Sequence, residues 1–569
     1  FTGTYFPKSS RYQLPGFADL IPRVAQFYHE KKPELATQNS QLADALKRTI
    51  PAPSSTLNAN TATLRLAFDS LESSFDFEYG GFGSAPKFPN PADITLLLHQ
   101  AKAGNKKAEA MALQMLSAMA NGGIYDQLGG GFCRYSVDAR WNIPHFEKML
   151  YDNGQLLFLY CDGWQISKDA RYKQVVEETV AWLQREMRDS KGAFYSSLDA
   201  DSLVSDSNGE HGHSAEGAFY VWQPAEIKNI LTPEEFIVAS QYFGFDRAPN
   251  FEDPHSNTNA WHPYLVKPVE YDEIALLKSA QTKLFQARAK RVHPGRDDKI
   301  LTSWNALAIK GLARAGRVFN RPDWLELAQG SVDFIREKLW KNERLLATCK
   351  DDGSGNYHAH LNAYLDDYAF LLDALIELMQ ASYRAEDLAF AEDLAEALLA
   401  DFEAEEGGFY FTSHTHETLI HRPKQAYDNA TPSGNGIATV ALQRLGHVLG
   451  EPRYLQAAER ALKAFDRSLV NNPAACASLA HALQEFLTPP TIVIIAGEAK
   501  HMVAWHEAIQ QHYYPHHLFF YLDETWDKNK QDLPPTLQRN FTDEVNAWVC
   551  QSVVCSPCVN NLQQLLDTL

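Results

Sequence analysis

Gly122-Gly123-Ile124-Tyr125-Asp126-Gln127-Leu128-Gly129-Gly130-Gly131-Phe132 is the stretch from which the fold is read. Its closing Gly-Gly-Phe recurs as Gly80-Gly81-Phe82 and Gly407-Gly408-Phe409, and more loosely as Gly192-Ala193-Phe194 and Gly217-Ala218-Phe219. Glycine permits a tight turn, and the aromatic then packs a short strand such as Phe194-Tyr195-Ser196-Ser197 or Phe409-Tyr410-Phe411-Thr412. Between the turns, apolar residues recur at three and four positions over about 60–75, 91–103, 107–120, 146–165, 171–187, 270–289, 299–317, 323–340, 362–381, 386–402, 433–449, 454–467 and 475–487. Helices joined by glycine–aromatic turns at uneven spacing predict a mainly α chain, a toroid of helical hairpins rather than a strict solenoid.

Outward from this centre the text changes. Residues 1–50 read as an extended start followed by a helix from Phe17 to about 48, and Pro51-Ala52-Pro53-Ser54-Ser55 reads as a linker to the toroid, assigned to 51–488. Residues 489–569 read as a small α/β unit, with strands at Thr491–Ala496 and His517–Leu522 around a helix at 500–511. The chain opens on Phe1 without an initiator Met, so it reads as a fragment or processed product whose targeting signal is unseen. Of the seven cysteines, an odd number, four are scattered, which is no disulfide framework and points to a reducing, cytoplasmic setting. Cys550, Cys555 and Cys558 lack an evident fourth zinc ligand, and read as free thiols or one local disulfide.

The 569 residues carry 52 basic and 71 acidic side chains, a net charge of −19. Nucleic-acid coats and binders of anionic membranes are basic, so neither is expected as a partner. No apolar run approaches the roughly 18 residues of a membrane span. Aromatics make up 12%, enough to build a large core or to line a cleft in which sugar faces stack on rings.

Candidate chemistry gathers in five places. In Gly122–Asn153, Arg134, Tyr135 and Trp141 precede Pro144-His145-Phe146-Glu147. Pro144 suits a helix start, which would put His145, Met149 and Asp152 on one face. A His, carboxylates and a Tyr at a glycine-rich mouth are acid–base material, or else a hydrogen-bonded structural cluster. Asp199 and Asp201 alternate in extended text ahead of Glu216; such carboxylates serve glycoside hydrolysis, a calcium site or a solvated loop. Asp298, Trp304 and Asn305 form the third group, Asp367 the fourth, and Asp428, Ser433 and Asn435 the fifth; Ser433 also fits an N-cap. All of these precede or open helices, so a toroid could collect them at one mouth. His211 and His213 read as a metal loop or, more simply, a flexible glycine loop.

These strings together resemble the YyaL-like family, whose animal members are called spermatogenesis-associated thioredoxin-domain proteins. The resemblance rests on Gly3-Thr4-Tyr5-Phe6-Pro7, Gly81-Phe82-Gly83 with Pro86-Lys87-Phe88-Pro89, the Gly122–Asn153 block, Leu198-Asp199-Ala200-Asp201-Ser202, Glu216-Gly217, Asp297-Asp298-Lys299 with Trp304-Asn305, and Pro432-Ser433-Gly434-Asn435. It implies a thioredoxin-like domain, of which residues 1–50 would be the remnant, and an (α/α)6 barrel similar to those of N-acylglucosamine 2-epimerase, cellobiose 2-epimerase and the six-hairpin glycosidases.

Two functions of different class follow. One is a carbohydrate-active enzyme, a sugar 2-epimerase or isomerase with His145 as base, or a glycoside hydrolase using Asp199, Asp201 and Glu216, with Glu147 beside them. In that reading Arg134, Tyr135, Trp141, Asp152, Asn153, Asp298, Trp304, Asn305, Asp367, Asp428, Ser433 and Asn435 hold the substrate, and neither metal nor cofactor is required. The other is a non-catalytic glycan- or peptide-binding protein whose full-length form has a thioredoxin-like redox or partner role. Nothing in the sequence specifies the oligomeric state.

Overall fold

The computed structural model describes all residues except 1–4, 12, 52, 206–210, 253–258 and 552–553. Six helices line one axis: Pro91–Lys102, Leu150–Ser167, Thr302–Val318, Leu365–Met379, Gly434–Leu449 and Ala477–Leu487. Each packs on the next, and the last returns to the first, which closes the ring. Six more form the outer layer: Thr61–Ser74, Lys106–Asn121, Ala170–Trp182, Pro322–Phe334, Ala385–Ala397 and Pro452–Ala464. Inner and outer helices alternate along the chain, so the fold is an (α/α)6 barrel. The inner helices are buried nearly all round, which explains their apolar text; in Leu365–Met379 only Asp366 is not buried.

Four of the five glycine–aromatic turns, all but that at Gly217, are built alike. In the quoted stretch, Gly130 and Gly131 hold φ of 76° and 79°, a region that L side chains rarely adopt. The turn closes with Gly130 N–H donating to Asp126 O and Asp126 N–H to Gly131 O. One asparagine in the first turn of the following inner helix then grips the aromatic's backbone from both sides. Phe132 N–H donates to Asn153 Oδ1 (2.7 Å) and Asn153 Nδ2 to Phe132 O (3.0 Å). Asn305 holds Phe194 in the same way (2.8 and 2.9 Å), and Asn435 holds Phe409 (2.7 and 2.9 Å). A buried lysine completes three of the turns. Lys87, Lys148 and Lys424 donate to Gly80 O, Gly130 O and Gly407 O, and each pairs with a carboxylate, Asp76, Asp126 and Glu406. The turns are thereby pinned to the N-terminal ends of the inner helices.

The opposite end of the barrel is filled with charge. Arg314 donates to Asp162 (2.6 Å) and Glu377 (2.7 Å), Arg317 to Glu377 (2.7 Å), and Lys310 to Asp373 (2.6 Å); Arg444 pairs with Glu485. The C-terminal unit caps this end. Gln165 donates to Gln510 O and Phe519 N–H to Gln380 Oε1. Its sheet runs in the order His517–Leu522, Thr491–Ala496, Asn546–Gln551, Val554–Cys555, the first pair parallel and the others antiparallel. Strand Thr491–Ala496 is buried on both faces: Ile492 and Ile494 join the barrel core, while Val493 and Ile495 pack with Trp505 and Ile509. That two-sided burial is why its text is continuously apolar. Cys550 and Cys555 form a disulfide, and Cys558 is free.

Two expectations need correction. The segment around Pro144 is not helical. Pro144–His145 pairs with Tyr135–Ser136, Lys148–Met149 with Ser197–Leu198, and the helix begins only at Leu150. Strand partners claim the backbone there, so His145 and Asp152 do not share a helix face. The helix expected at 270–289 exists as Ile274–Arg288 but stands outside the ring. It packs with Pro224–Ile230 and Pro233–Phe243 around a separate apolar cluster. The last of these was signalled by Thr232 and Glu235, which form a capping box.

Removing the clamp should therefore be costly. Asn305→Ala leaves Phe194 N–H and C=O unpaired in a buried setting, and a loss of about 2–5 kcal/mol is expected in denaturant unfolding.

Candidate functional site

At the N-terminal end of the inner helices lies a cavity of about 480 Å3, walled by Phe88, Asn90, Asp93, Arg134, Tyr151, Asp152, Asp428 and Asn429. Its notable member is Asp152. The residue is only 2% exposed, its Oδ2 has no hydrogen-bond partner, and burial pushes its carboxyl well above the usual range against the pull of Arg134. A buried polar atom without a partner costs free energy unless something supplies one. Asp93, in the first turn of Pro91–Lys102, is pushed up to about 7 by burial and by Asp428. Tyr151 is pushed up to about 12, by burial and then by Asp152. Neutral carboxyls in the cavity wall can donate hydrogen bonds and act as general acids.

Next to this cavity a second cluster is strung from the same wall. Arg134 Nη1 donates to Glu147 Oε2 (3.1 Å), which stands 3.3 Å from His145 Nε2. On the other side of the ring, His145 Nδ1 lies 2.6 Å from Glu216 Oε1. Tyr135 stacks on His145 with centroids 5.1 Å apart, and Phe88 lies 4.9 Å beyond Tyr135. Strand pairing makes these contacts: Tyr135 is in register with His145, and Asp201 with Glu216. The imidazole is thus oriented by one carboxylate, with its second nitrogen turned toward the Glu147–Arg134 pair.

The residues singled out in the sequence separate into three groups. Arg134, Tyr135, His145, Glu147, Asp152 and Glu216 come together at or beside the cavity. Asn153, Asn305, Asn435, Asp367, Asp428 and Ser433 lie at the same end, but their polar atoms are engaged by the fold. Asp367 accepts Ser303 N–H and Tyr364 N–H, both at 2.8 Å. Asp428 accepts Ser433 N–H (2.8 Å) and Ser478 N–H (3.0 Å), and Ser433 Oγ donates to Gln425 O (2.9 Å). The third group faces elsewhere. Trp141 is fully buried, with Nε1 donating to Gly80 O and its ring against Gly81, so it offers no face for stacking. Trp304 is edge-on to Tyr151 at 4.8 Å. Asp298 is tied to Arg296 (2.6 Å), and exposed Asp199 accepts Asp201 N–H (3.3 Å). None of Trp304, Asp298, Asp199 and Asp201 lines the cavity. The side chains of His211 and His213 fall outside the described residues, among which no group of three or more His, Cys, Asp or Glu could hold a metal ion. No helix among the described residues is long and apolar enough to cross a membrane.

Asp93 was not foreseen. An acid in the first turn of a helix is ordinary sequence text, and its perturbation arises only when closure of the ring buries it beside Asp428. Asp366, beside Asp367 in the fourth stretch, is also pushed up to about 7, by burial and then by Asp367.

No family model matches the chain. Spermatogenesis-associated protein 20 of Homo sapiens is 30% identical over 620 residues, covering 99% of this chain and 77% of the human protein. An uncharacterized protein of Caenorhabditis elegans is 31% identical over 529 residues, covering 88% of this chain and 72% of the relative. Among solved structures, a D-mannose isomerase superposes with a TM-score of 0.48 at 10% identity, over 76% of this chain and 99% of the isomerase. Cellobiose 2-epimerase from Spirochaeta thermophila gives 0.46 at 14% identity, over 80% and 97%. At these scores the likeness bears on neither reaction nor substrate.

The raised carboxyl of Asp93 makes stability depend on pH. Below its ordinary 3.8 the group is neutral in both folded and unfolded chains. Between about 4 and about 7 only the unfolded chain ionises it, so the folded state loses its advantage as pH rises, and above about 7 the penalty is complete. Asp93→Asn is expected to match the parent near pH 4 and to exceed it by about 1–3 kcal/mol at pH 8, measured by urea unfolding across that range.

Proposed function

The chain belongs to the family of spermatogenesis-associated protein 20, and we propose that it is an acid–base enzyme that moves a proton on a sugar-sized polyhydroxy ligand bound in the mouth of the barrel. The observation that carries this reading is the buried carboxyl of Asp152 with its unpartnered oxygen in the cavity wall. A ligand hydroxyl or carbonyl oxygen would satisfy it, and a cavity of about 480 Å3 has the size of a small-molecule site.

In this reading Asp152 and Asp93 donate hydrogen bonds to ligand oxygens and stabilise negative charge developing on them. His145 is the base, its ring oriented through Nδ1 by Glu216. Glu147 holds Arg134 at the wall, where the guanidinium can meet a carbonyl oxygen. This division of labour suits 2-epimerase or isomerase chemistry, in which a proton leaves the carbon next to a carbonyl. Hydrolysis is the second reading. It is favoured by the Asp93–Asp428 pair, in which one carboxyl is held near neutral as an acid; it would then need an ionised carboxylate across the bond.

The test is exchange of the C2 proton for solvent deuterium over a panel of free reducing sugars. The wild type should exchange at least one of them. His145→Gln should lower the rate by about 100-fold or more with little change in melting temperature, and Asp152→Asn should lower it while raising the melting temperature. Aryl-glycoside hydrolysis that survives His145→Gln would move the assignment to the second reading, and a silent panel in both assays would overturn the enzyme.

A further inference from the structure

The mouth does not end at Asp428. Asp428 and Asn429 also line a second cavity, of about 590 Å3, that leads outward between residues 48–51, 424–429 and 467–468. Asp428 and Asn429 thus belong to the walls of both spaces, which sets the groove beside the mouth.

The charge of the groove runs against that of the chain. Arg48 and Arg467 both line it, both are exposed, and neither guanidinium is held by a carboxylate among the described residues. The acids near them are already engaged. Asp466 accepts Asn58 and Ala59 N–H, Glu406 is held by Lys424, and Asp428 accepts Ser433 and Ser478 N–H. Tyr427, 56% exposed, stands on the same rim with its ring open to solvent. Two unpaired guanidinium groups and an exposed ring thus line a groove beside an acidic mouth, in a protein of net charge −19. A guanidinium fork fits the oxygens of a carboxylate, phosphate or sulfate, and charge-assisted bonds of this kind are about twice as strong as neutral ones.

We propose that the groove is a subsite for an anionic group carried on the outer ring of a glycan at least two rings long, whose inner ring occupies the mouth. This rests on the reading of the mouth as a sugar site and adds the charge and the length of the ligand. Tyr427 stacks on the outer ring, and Arg48 and Arg467 hold its carboxylate, phosphate or sulfate. Because both arginines are exposed, the interaction is screened by salt and weakens as ionic strength rises.

The experiment compares cellotriose with its sulfated form, and with inorganic sulfate at matched ionic strength, by calorimetric titration of the wild type, R48A/R467A, R48K/R467K and D152N. The sulfated sugar should bind about tenfold more tightly than cellotriose. R48A/R467A should abolish that difference and leave cellotriose binding unchanged, R48K/R467K should restore part of it, and D152N should weaken both sugars. Equal affinity of the two sugars, or a difference that survives R48A/R467A, overturns the groove while leaving the mouth intact. Inorganic sulfate binding as tightly as the sulfated sugar overturns the glycan and leaves an anion site. Failure of both sugars to bind overturns the mouth reading and the subsite together.

Discussion

Two hydrogen bonds from one asparagine to one phenylalanine backbone organise this barrel. A Gly-Gly-Phe turn exposes a backbone N–H and C=O that its own hairpin cannot satisfy. Asn153, Asn305 and Asn435 satisfy them from the first turn of the next inner helix. Because buried backbone groups must be paired, the loop cannot leave the helix end to which it belongs. The buried lysines at Lys87, Lys148 and Lys424 fix the other side of the turn. The loops therefore collect at one end of the ring, and the other end is left to the ion pairs of Arg314, Glu377, Arg444 and Glu485 beneath the C-terminal sheet.

That arrangement sets the chemistry of the mouth. The inner helices turn their N-terminal ends toward it, and such ends favour anions by a fraction of a kcal/mol up to about 2 kcal/mol. Removing a carboxylate from water costs more. Where backbone N–H groups point at the acid, as for Asp367 and Asp428, its oxygens are satisfied and the residue serves the fold. Burial raises Asp367 and Asp428 too, but the bonds they accept pull the other way; Asp152 has an oxygen with no such partner, and burial lifts it well above the usual range. The same sequence position at the start of an inner helix is thus structural in one hairpin and available for a ligand in another.

The recurring Gly-Gly-Phe text and the helical periodicity were enough to read the toroid, since turn and helix are both local. The site was harder to read because its members are made by closure of the ring. Asn153, Asn305 and Asn435 look like ligand-binding residues in the sequence, being polar residues at helix starts, yet each is spent on a neighbouring turn. Asp93 looks like an ordinary first-turn acid and becomes unusual only opposite Asp428. His145 and Glu216 stand in the sequence as candidates for two different reactions, 71 positions apart, and only strand pairing brings them into contact. Trp141, expected among the substrate-holding residues, is fully buried with its ring against Gly81.

The central claim is that Asp152 is a neutral carboxyl held ready for a ligand. Infrared difference spectroscopy between the wild type and Asp152→Asn tests it directly. At neutral pH the wild type should show the C=O stretch of a protonated, weakly hydrogen-bonded carboxyl. The band should be missing from the variant and should shift to lower frequency when a sugar occupies the mouth. An ionised Asp152 at neutral pH, or a band indifferent to every sugar that binds, would contradict the account.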